Sequence, residues 1–99
     1  LHKVLHYRFF ADVDGKMNHN VQQVGGNILI ISQFTLVADT KKGLRPGFSS
    51  AAPPALGEDM YNYFVAKAKE NISVATGRFG ADMQVSLTND GPVTFLLEV

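Results

Sequence analysis

The chain has no cysteine. That absence removes disulfides, thiolate nucleophiles, zinc ribbons and iron–sulfur clusters, and it fits a reducing compartment. Net charge is missing too: nine Lys and Arg stand against nine Asp and Glu. A strongly basic nucleic-acid coat and an acidic solvating tail are both excluded by that balance, whereas a local basic patch is not. Long hydrophobic runs are lacking as well. The longest, Ile28-Leu29-Ile30-Ile31, falls far short of the ~20 residues that cross a bilayer. The N-terminus has no basic-then-apolar signal pattern, so a soluble cytoplasmic protein is expected. There is no repeat, no low-complexity tract and no break in composition to mark a linker. With 99 residues, 45% of them hydrophobic, the chain is long enough for one core and too short for two. Residues 1–99 are read as a single domain.

The chain begins at Leu1 without Met, and Leu1-His2-Lys3-Val4-Leu5 reads as the end of a helix already under way. Its natural beginning is therefore expected to be missing. Residues 7–11 are aromatic and extended in character, and Asp12-Val13-Asp14-Gly15 after them is a turn, because Gly tolerates positive φ. Val24-Gly25-Gly26-Asn27 is a second turn. Residues 27–38 are rich in β-branched and aromatic side chains and open without alternation, which predicts a central strand buried on both faces.

Residues 39–53 form a long polar loop. After Pro53-Pro54 the spacing predicts a helix over 55–71, since proline in a first turn loses no intrahelical bond. Leu56, Met60, Phe64 and Ala68 recur every four residues beside Tyr61 and Val65, an amphipathic face packed on a sheet. Met83, Val85 and Leu87 alternate with polar residues, predicting a half-exposed strand. After the turn Asn89-Asp90-Gly91-Pro92, residues 93–99 read as a last, mostly apolar strand. The order strand, strand, helix, strand, strand predicts an α+β domain, with mixed or antiparallel sheets and one main helix packed on them.

Several features carry possible chemistry. His2 and His6 lie four apart, which is metal-ligand spacing on a helix, but no third ligand is near in sequence. The reading as surface histidines is preferred. Asp12-Val13-Asp14-Gly15 opens like a calcium loop, yet its Gly is fourth where the EF-hand needs it sixth, and position twelve is Gln23. It is read as a turn. No metal ligand set emerges, so no cofactor is expected. Lys41, Lys42 and Arg45 form the one basic cluster, open equally to a phosphate backbone and to plain solvation. Arg78, beside Gly77, is a further isolated cation.

Ser32-Gln33-Phe34-Thr35-Leu36 is the other outlier. On a strand, Ser32 and Phe34 would point one way and Gln33 and Thr35 the other. A buried hydroxyl or amide left unpaired costs roughly 1–3 kcal/mol, so these groups need partners, a ligand or solvent. Thr35 has the chemistry of a nucleophile, but nothing in the sequence identifies a base to activate it. Gly91-Pro92 is unusual because proline fixes φ and admits a cis bond at modest cost.

Together, Ser32-Gln33-Phe34-Thr35-Leu36 and Asn89-Asp90-Gly91-Pro92-Val93-Thr94 resemble motifs of the D-aminoacyl-tRNA deacylase (D-Tyr-tRNA deacylase) family. Arg45-Pro46-Gly47-Phe48-Ser49 and Thr76-Gly77-Arg78-Phe79-Gly80-Ala81-Asp82-Met83 match as well, in the family's order and spacing, and the resemblance runs over residues 7–99. It implies a layered β/β/α fold and a homodimeric hydrolase of translation quality control. The substrate would be the ester joining a D-amino acid, or mischarged glycine, to the terminal adenosine of tRNA. By the same resemblance Gly91 and Pro92 form a cis wall that enters the partner subunit's site and rejects L side chains. Ser32, Gln33, Phe34 and Thr35 line the pocket, with the backbone N–H groups of Phe34 and Thr35 as oxyanion donors. The substrate's ribose 2′-hydroxyl helps activate water, with Thr35 as covalent nucleophile the runner-up. Phe79, Ala81 and Met83 border the adenosine, and Lys41 and Arg45 join the substrate contacts.

Family members carry roughly half this length again ahead of Leu1, so the front of the domain is expected to be absent. Two other functions compete: a non-catalytic RNA-binding or dimerisation module using Lys41, Lys42 and Arg45, and an inactive truncated remnant. Thr35→Ala or Pro92→Ala separates them, because only the enzyme reading expects lost activity or lost chirality with folding intact.

Overall fold

Regular structure begins with α1 (His2–His6), whose one buried residue is Leu5. The computed structural model describes residues 1–98. From α1 the chain runs into β1 (Phe10–Ala11), which pairs antiparallel with β2 (Met17–His19). The turn between them is built by Asp12. Its Oδ1 accepts the backbone N–H of Asp14 at 2.9 Å and of Lys16 at 3.0 Å, and Gly15 closes the turn at φ +79°. These N–H groups, that of Lys16 foremost, stabilise the carboxylate and hold the Asp12 pKa below its ordinary 3.8. The calcium-like signature is thus occupied by backbone amides, as the reading of a plain turn requires.

β3 (Ile28–Ile30) pairs parallel with β4 (Val74–Thr76), in the register Ile28 with Val74, Leu29 with Ala75 and Ile30 with Thr76. Parallel neighbours need a crossover, and α2 (Pro54–Lys69) supplies it. The helix starts one residue before the predicted 55 and ends two before 71. Pro54 sits in its first turn, and Lys67 and Lys69 lie in its last, where the helix dipole favours cations. Val65 and Ala68 are buried on its inner side, but Leu56 and Met60 of the predicted packed face stay exposed, so that face packs only in the second half of the helix. The mixed α+β architecture with one main helix is as expected. Its order, α1-β1-β2-β3-α2-β4, differs in detail from the predicted one.

Two expectations fail, for one reason. The expected central strand over 27–38, buried on both faces, does not form: β3 stops at Ile30 because β4 offers only three residues to pair with, and its Leu29 is exposed. The chain then satisfies its backbone locally. Phe34–Val37 form a 3-10 turn, with Leu36 N–H donating to Gln33 O at 3.3 Å and Ala38 N–H to Thr35 O at 3.1 Å. The opposed faces assigned to Ser32/Phe34 and Gln33/Thr35 go with the strand. Likewise, no strand is present among residues 77–98, so the predicted strands over 83–88 and 93–98 do not form, and residue 99 lies outside the described residues. Alternation alone does not make a strand; a neighbouring backbone does. Val85, Leu87, Val93, Phe95 and Leu96 accordingly stay exposed.

The buried apolar core comprises Leu5, Val21, Val65 and Ala68. A Cα radius of gyration of 15.7 Å, against about 13 Å for a close-packed domain of this length, reports the same openness. Residues 93–98 are held to the front of the chain rather than to the sheets. Phe95 packs its ring 5.4 Å from Tyr7 and 5.8 Å from Phe9, and Lys3 Nζ donates to Glu98 O.

Candidate active site

The geometry of the Ser32-Gln33-Phe34-Thr35-Leu36 segment is set by one carbonyl two residues upstream. Ile30 O, at the end of β3, accepts the Tyr61 hydroxyl of α2 at 2.9 Å and the Gly77 N–H at 3.2 Å. Strand, helix and the 76–83 segment therefore meet at a single acceptor whose two lone pairs are both used. Tyr61 was read only as part of an apolar face. The available signal was its phenol, which seeks a polar partner when the ring is half-buried. A Tyr61→Phe chain keeps the ring against Phe79, 5.8 Å away, and leaves Ile30 O bonded to Gly77. It is expected to lose about 1 kcal/mol of stability, read as a melting temperature lower by about 4–8 °C.

Past this anchor the chain turns outward. Gln33 Nε2 donates to Thr35 Oγ1 at 2.6 Å. An amide has no useful proton affinity near neutral pH, so Gln33 orients the Thr35 hydroxyl and cannot take its proton. None of Ser32, Gln33, Phe34, Thr35 and Leu36 titrates in the physiological range. What the segment presents is main chain: the leading N–H groups of a 3-10 turn have no acceptor inside it, and those of Phe34 and Thr35 occupy that position. Around them the surface is apolar and open. Phe34 is 64% and Leu36 79% exposed, and the Phe34 ring leans on Phe48 at 5.1 Å. Phe48 thereby ties the Arg45-Pro46-Gly47-Phe48-Ser49 motif to this segment. Ser50 Oγ donates to Val37 O at 3.4 Å beside it.

The 76–83 segment flanks the anchor. Gly77 lies under the Met83 side chain: a Cβ there would stand 2.8 Å from Met83 Sδ, and the flexible thioether would have to move to admit it. The same sulfur accepts the Arg78 N–H at 3.3 Å. Met83 is drawn against Gly77, whereas Phe79 turns onto α2 and covers Gly57. Ala81, whose N–H reaches Arg78 O at 3.2 Å, stays exposed.

The Gly91–Pro92 peptide is cis and exposed. Among the described residues no hydrogen bond joins it to Ser32, Gln33, Phe34, Thr35 or Leu36 within the chain. Gly91 has φ +136°, and a Cβ on it would stand 3.0 Å from both the backbone N and Cγ2 of Val93. Lys41, Lys42 and Arg45 are exposed in the loop that follows the 3-10 turn. His2 and His6 stack at 4.3 Å, with His6 Nδ1 facing the His2 carbonyl. A groove of about 580 Å³ runs along α2 past Met60, Tyr63 and Phe64, and Tyr61 is the residue it shares with the anchor. Among the described residues, no helix is long and apolar enough to cross a membrane.

Comparison with known proteins places this arrangement in context. The family described as D-Tyr-tRNA(Tyr) deacylase matches residues 1–98. A D-aminoacyl-tRNA deacylase of Pseudomonas fluorescens (strain Pf0-1) is 64% identical over 99 residues, which are 99% of this chain and 68% of that protein. One from Haemophilus influenzae (strain PittGG) is 65% identical over 97 residues, 98% of this chain and 67% of that protein. Among solved structures, the c-Myc DNA Unwinding Element Binding Protein superposes with a TM-score of 0.84 at 38% identity. The match covers 93% of this chain and 64% of that one, so the chain spans about two thirds of its relatives' length.

Proposed function

Because the chain belongs to the D-Tyr-tRNA(Tyr) deacylase family, we propose that it hydrolyses the ester linking a D-amino acid to the terminal adenosine of tRNA. Mischarged glycine is a second substrate, having no side chain to reject. The setting is the cytoplasm, where the reaction keeps D-residues out of translation. The observation that carries this reading is that nearly the whole of this chain matches D-aminoacyl-tRNA deacylases, over about two thirds of their length and through both the 32–36 and the 89–94 motifs.

In the proposed mechanism the ester carbonyl lies against the N–H groups of Phe34 and Thr35, which stabilise the oxyanion as the carbonyl carbon becomes tetrahedral. Water attacks that carbon, the bond to the ribose oxygen breaks, and the water's proton ends on the leaving oxygen. The neighbouring ribose 2′-hydroxyl helps activate the water. What supports a substrate hydroxyl over a protein base is the chemistry of the pocket: a Gln and two hydroxyl side chains, none with proton affinity near pH 7. The same lack argues against Thr35 as a covalent nucleophile. Ser32 and Gln33 line the aminoacyl side, and Phe79, Ala81 and Met83 border the adenosine.

Chirality is proposed to come from a second copy of the chain, whose Gly91 and Pro92 exclude an L side chain by bulk. The exposed apolar residues of the 83–96 segment, and the lack among the described residues of a hydrogen bond from Gly91 or Pro92 to the 32–36 segment, support a site shared between two copies.

The test is release of D-Tyr and L-Tyr from tRNA, side by side, by the 99-residue chain. D-Tyr is expected to be released with L-Tyr left attached. Release of neither, or of both equally, overturns the reading.

A further inference from the structure

We propose that the loop of residues 39–47 is a docking surface for the phosphate backbone of RNA, gripping the acceptor end of the tRNA whose terminus reaches the 32–36 segment. This inference rests on the deacylase reading and extends it to how the bulk of the substrate is held.

The loop is a built element. Its ends are clasped by a reciprocal backbone pair, Asp39 N–H to Gly47 O at 2.7 Å and Gly47 N–H to Asp39 O at 2.9 Å. Inside the clasp, Asp39 Oδ1 accepts the Lys41 N–H at 3.0 Å. Gly43, at φ +66°, reverses the chain. Lys41 and Lys42 precede that reversal and Arg45 follows it, so one short closed loop carries three cations.

Charge is concentrated there. The loop holds three cations and one carboxylate, Asp39, in a chain of zero net charge. That carboxylate is already engaged by the loop's own backbone. Among the described residues none of the three cations forms an ion pair; the pair that does form, Lys67 with Glu70 on α2, is elsewhere. Exposed cations without protein partners, set close together, are what a polyanion needs in order to shed its counterions.

Position selects the partner. Between Leu36 and Asp39 only Val37 and Ala38 intervene, and the Phe34–Phe48 ring contact and the Ser50–Val37 hydrogen bond fix the root of the loop against the pocket. A nucleic acid that lays its terminal nucleotide at Phe34 and Thr35 stands beside the root of this loop, where its preceding phosphates can meet Lys41, Lys42 and Arg45. Phosphate contacts position the ligand and read no base, which suits an enzyme that serves many tRNAs.

The experiment measures binding of uncharged tRNA between 50 and 200 mM salt. It compares the unaltered chain, a Lys41→Ala/Lys42→Ala/Arg45→Ala chain and a Lys16→Ala/Lys69→Ala control. Removing three phosphate contacts is expected to flatten the log–log salt slope by about 2–3. The unaltered chain then loses about 20–40 times more affinity across that range than the triple variant does. The control should follow the unaltered chain. Equal slopes for the triple variant and the unaltered chain overturn the inference, and so does a control that flattens the slope as much.

Hydrolysis of D-Tyr-tRNA, followed in the same preparations, separates the two readings. Loop-dependent binding without D-Tyr release supports the loop and removes the deacylase. D-Tyr release with loop-independent binding does the reverse.

Discussion

A Gly91→Ala chain is expected to release L-Tyr from tRNA faster than the unaltered chain does, while its D-Tyr rate falls. The reason is local geometry. At φ +136° an alanine is strained by about 1–3 kcal/mol. Its Cβ would also meet the backbone N of Val93 at 3.0 Å, and a backbone atom cannot rotate away as a side-chain tip can. The loop must therefore move. If it forms the wall against L side chains, the displacement appears as a D-to-L preference narrowed by about 5- to 150-fold, the same strain expressed as a rate ratio. Gly91 is exposed and not among the buried core residues Leu5, Val21, Val65 and Ala68, so the helical circular dichroism signal should be retained. A folded variant with an unchanged D-to-L ratio would remove Gly91 and Pro92 from the selectivity argument.

The second large effect is expected from the substrate rather than the protein. D-Tyr-tRNA ending in 2′-deoxyadenosine should be hydrolysed about 10²–10⁴-fold more slowly than the natural substrate, the range spanned by a positioned acid–base group. The expectation follows from what surrounds Thr35. Its hydroxyl is held by the Gln33 amide at 2.6 Å, and no side chain from Ser32 to Leu36 is a base near neutral pH. The loss should fall on kcat with little change in KM, because the missing hydroxyl works in the transition state. Equal rates for the two substrates would return Thr35 to consideration as the attacking group. A search for an acyl-enzyme on Thr35 would then be the next measurement.

Much of this architecture could be read from residue order because its causes are local. α2 was legible from a four-residue apolar repeat preceded by prolines, and the Asp12–Gly15 turn from a carboxylate that caps backbone amides next to a glycine. Features that depend on what lies across the chain were not legible. The Ile28-Leu29-Ile30-Ile31 run looked like the start of a long strand, but a strand lasts only as long as its neighbour, and β4 is three residues long. β4 itself escaped notice because Val74-Ala75-Thr76 is too short to show a period. A possible sign was its β-branched pair bounded by Ser73 and Gly77. The 3-10 turn of Phe34–Val37 was hidden in β-favouring composition, where i→i+3 bonding leaves no mark. The alternation from Met83 to Leu87 predicted a half-exposed strand, yet among the described residues the segment has no strand partner, and Val85 and Leu87 are exposed like the polar residues between them. Site chemistry followed the same division. The residues of the 32–36 segment stood out by their polarity, whereas the carbonyl that anchors them belongs to Ile30, whose side chain says nothing of the role.

That carbonyl has a mechanical consequence. Ser32 begins only two residues beyond a group clamped by both a helix and a neighbouring segment, an arm of about 7 Å at full extension. Productive geometry in a catalytic site tolerates displacements of about 0.5 Å, which over such an arm is a rocking of only about 4°. Thermal agitation that loosens the Tyr61 contact would exceed this angle well before α2 melts. Catalysis should therefore fade at temperatures where the helix is still intact. The enzyme's working range would be bounded by the stiffness of a single joint, with the cooperative unfolding of the chain lying above it.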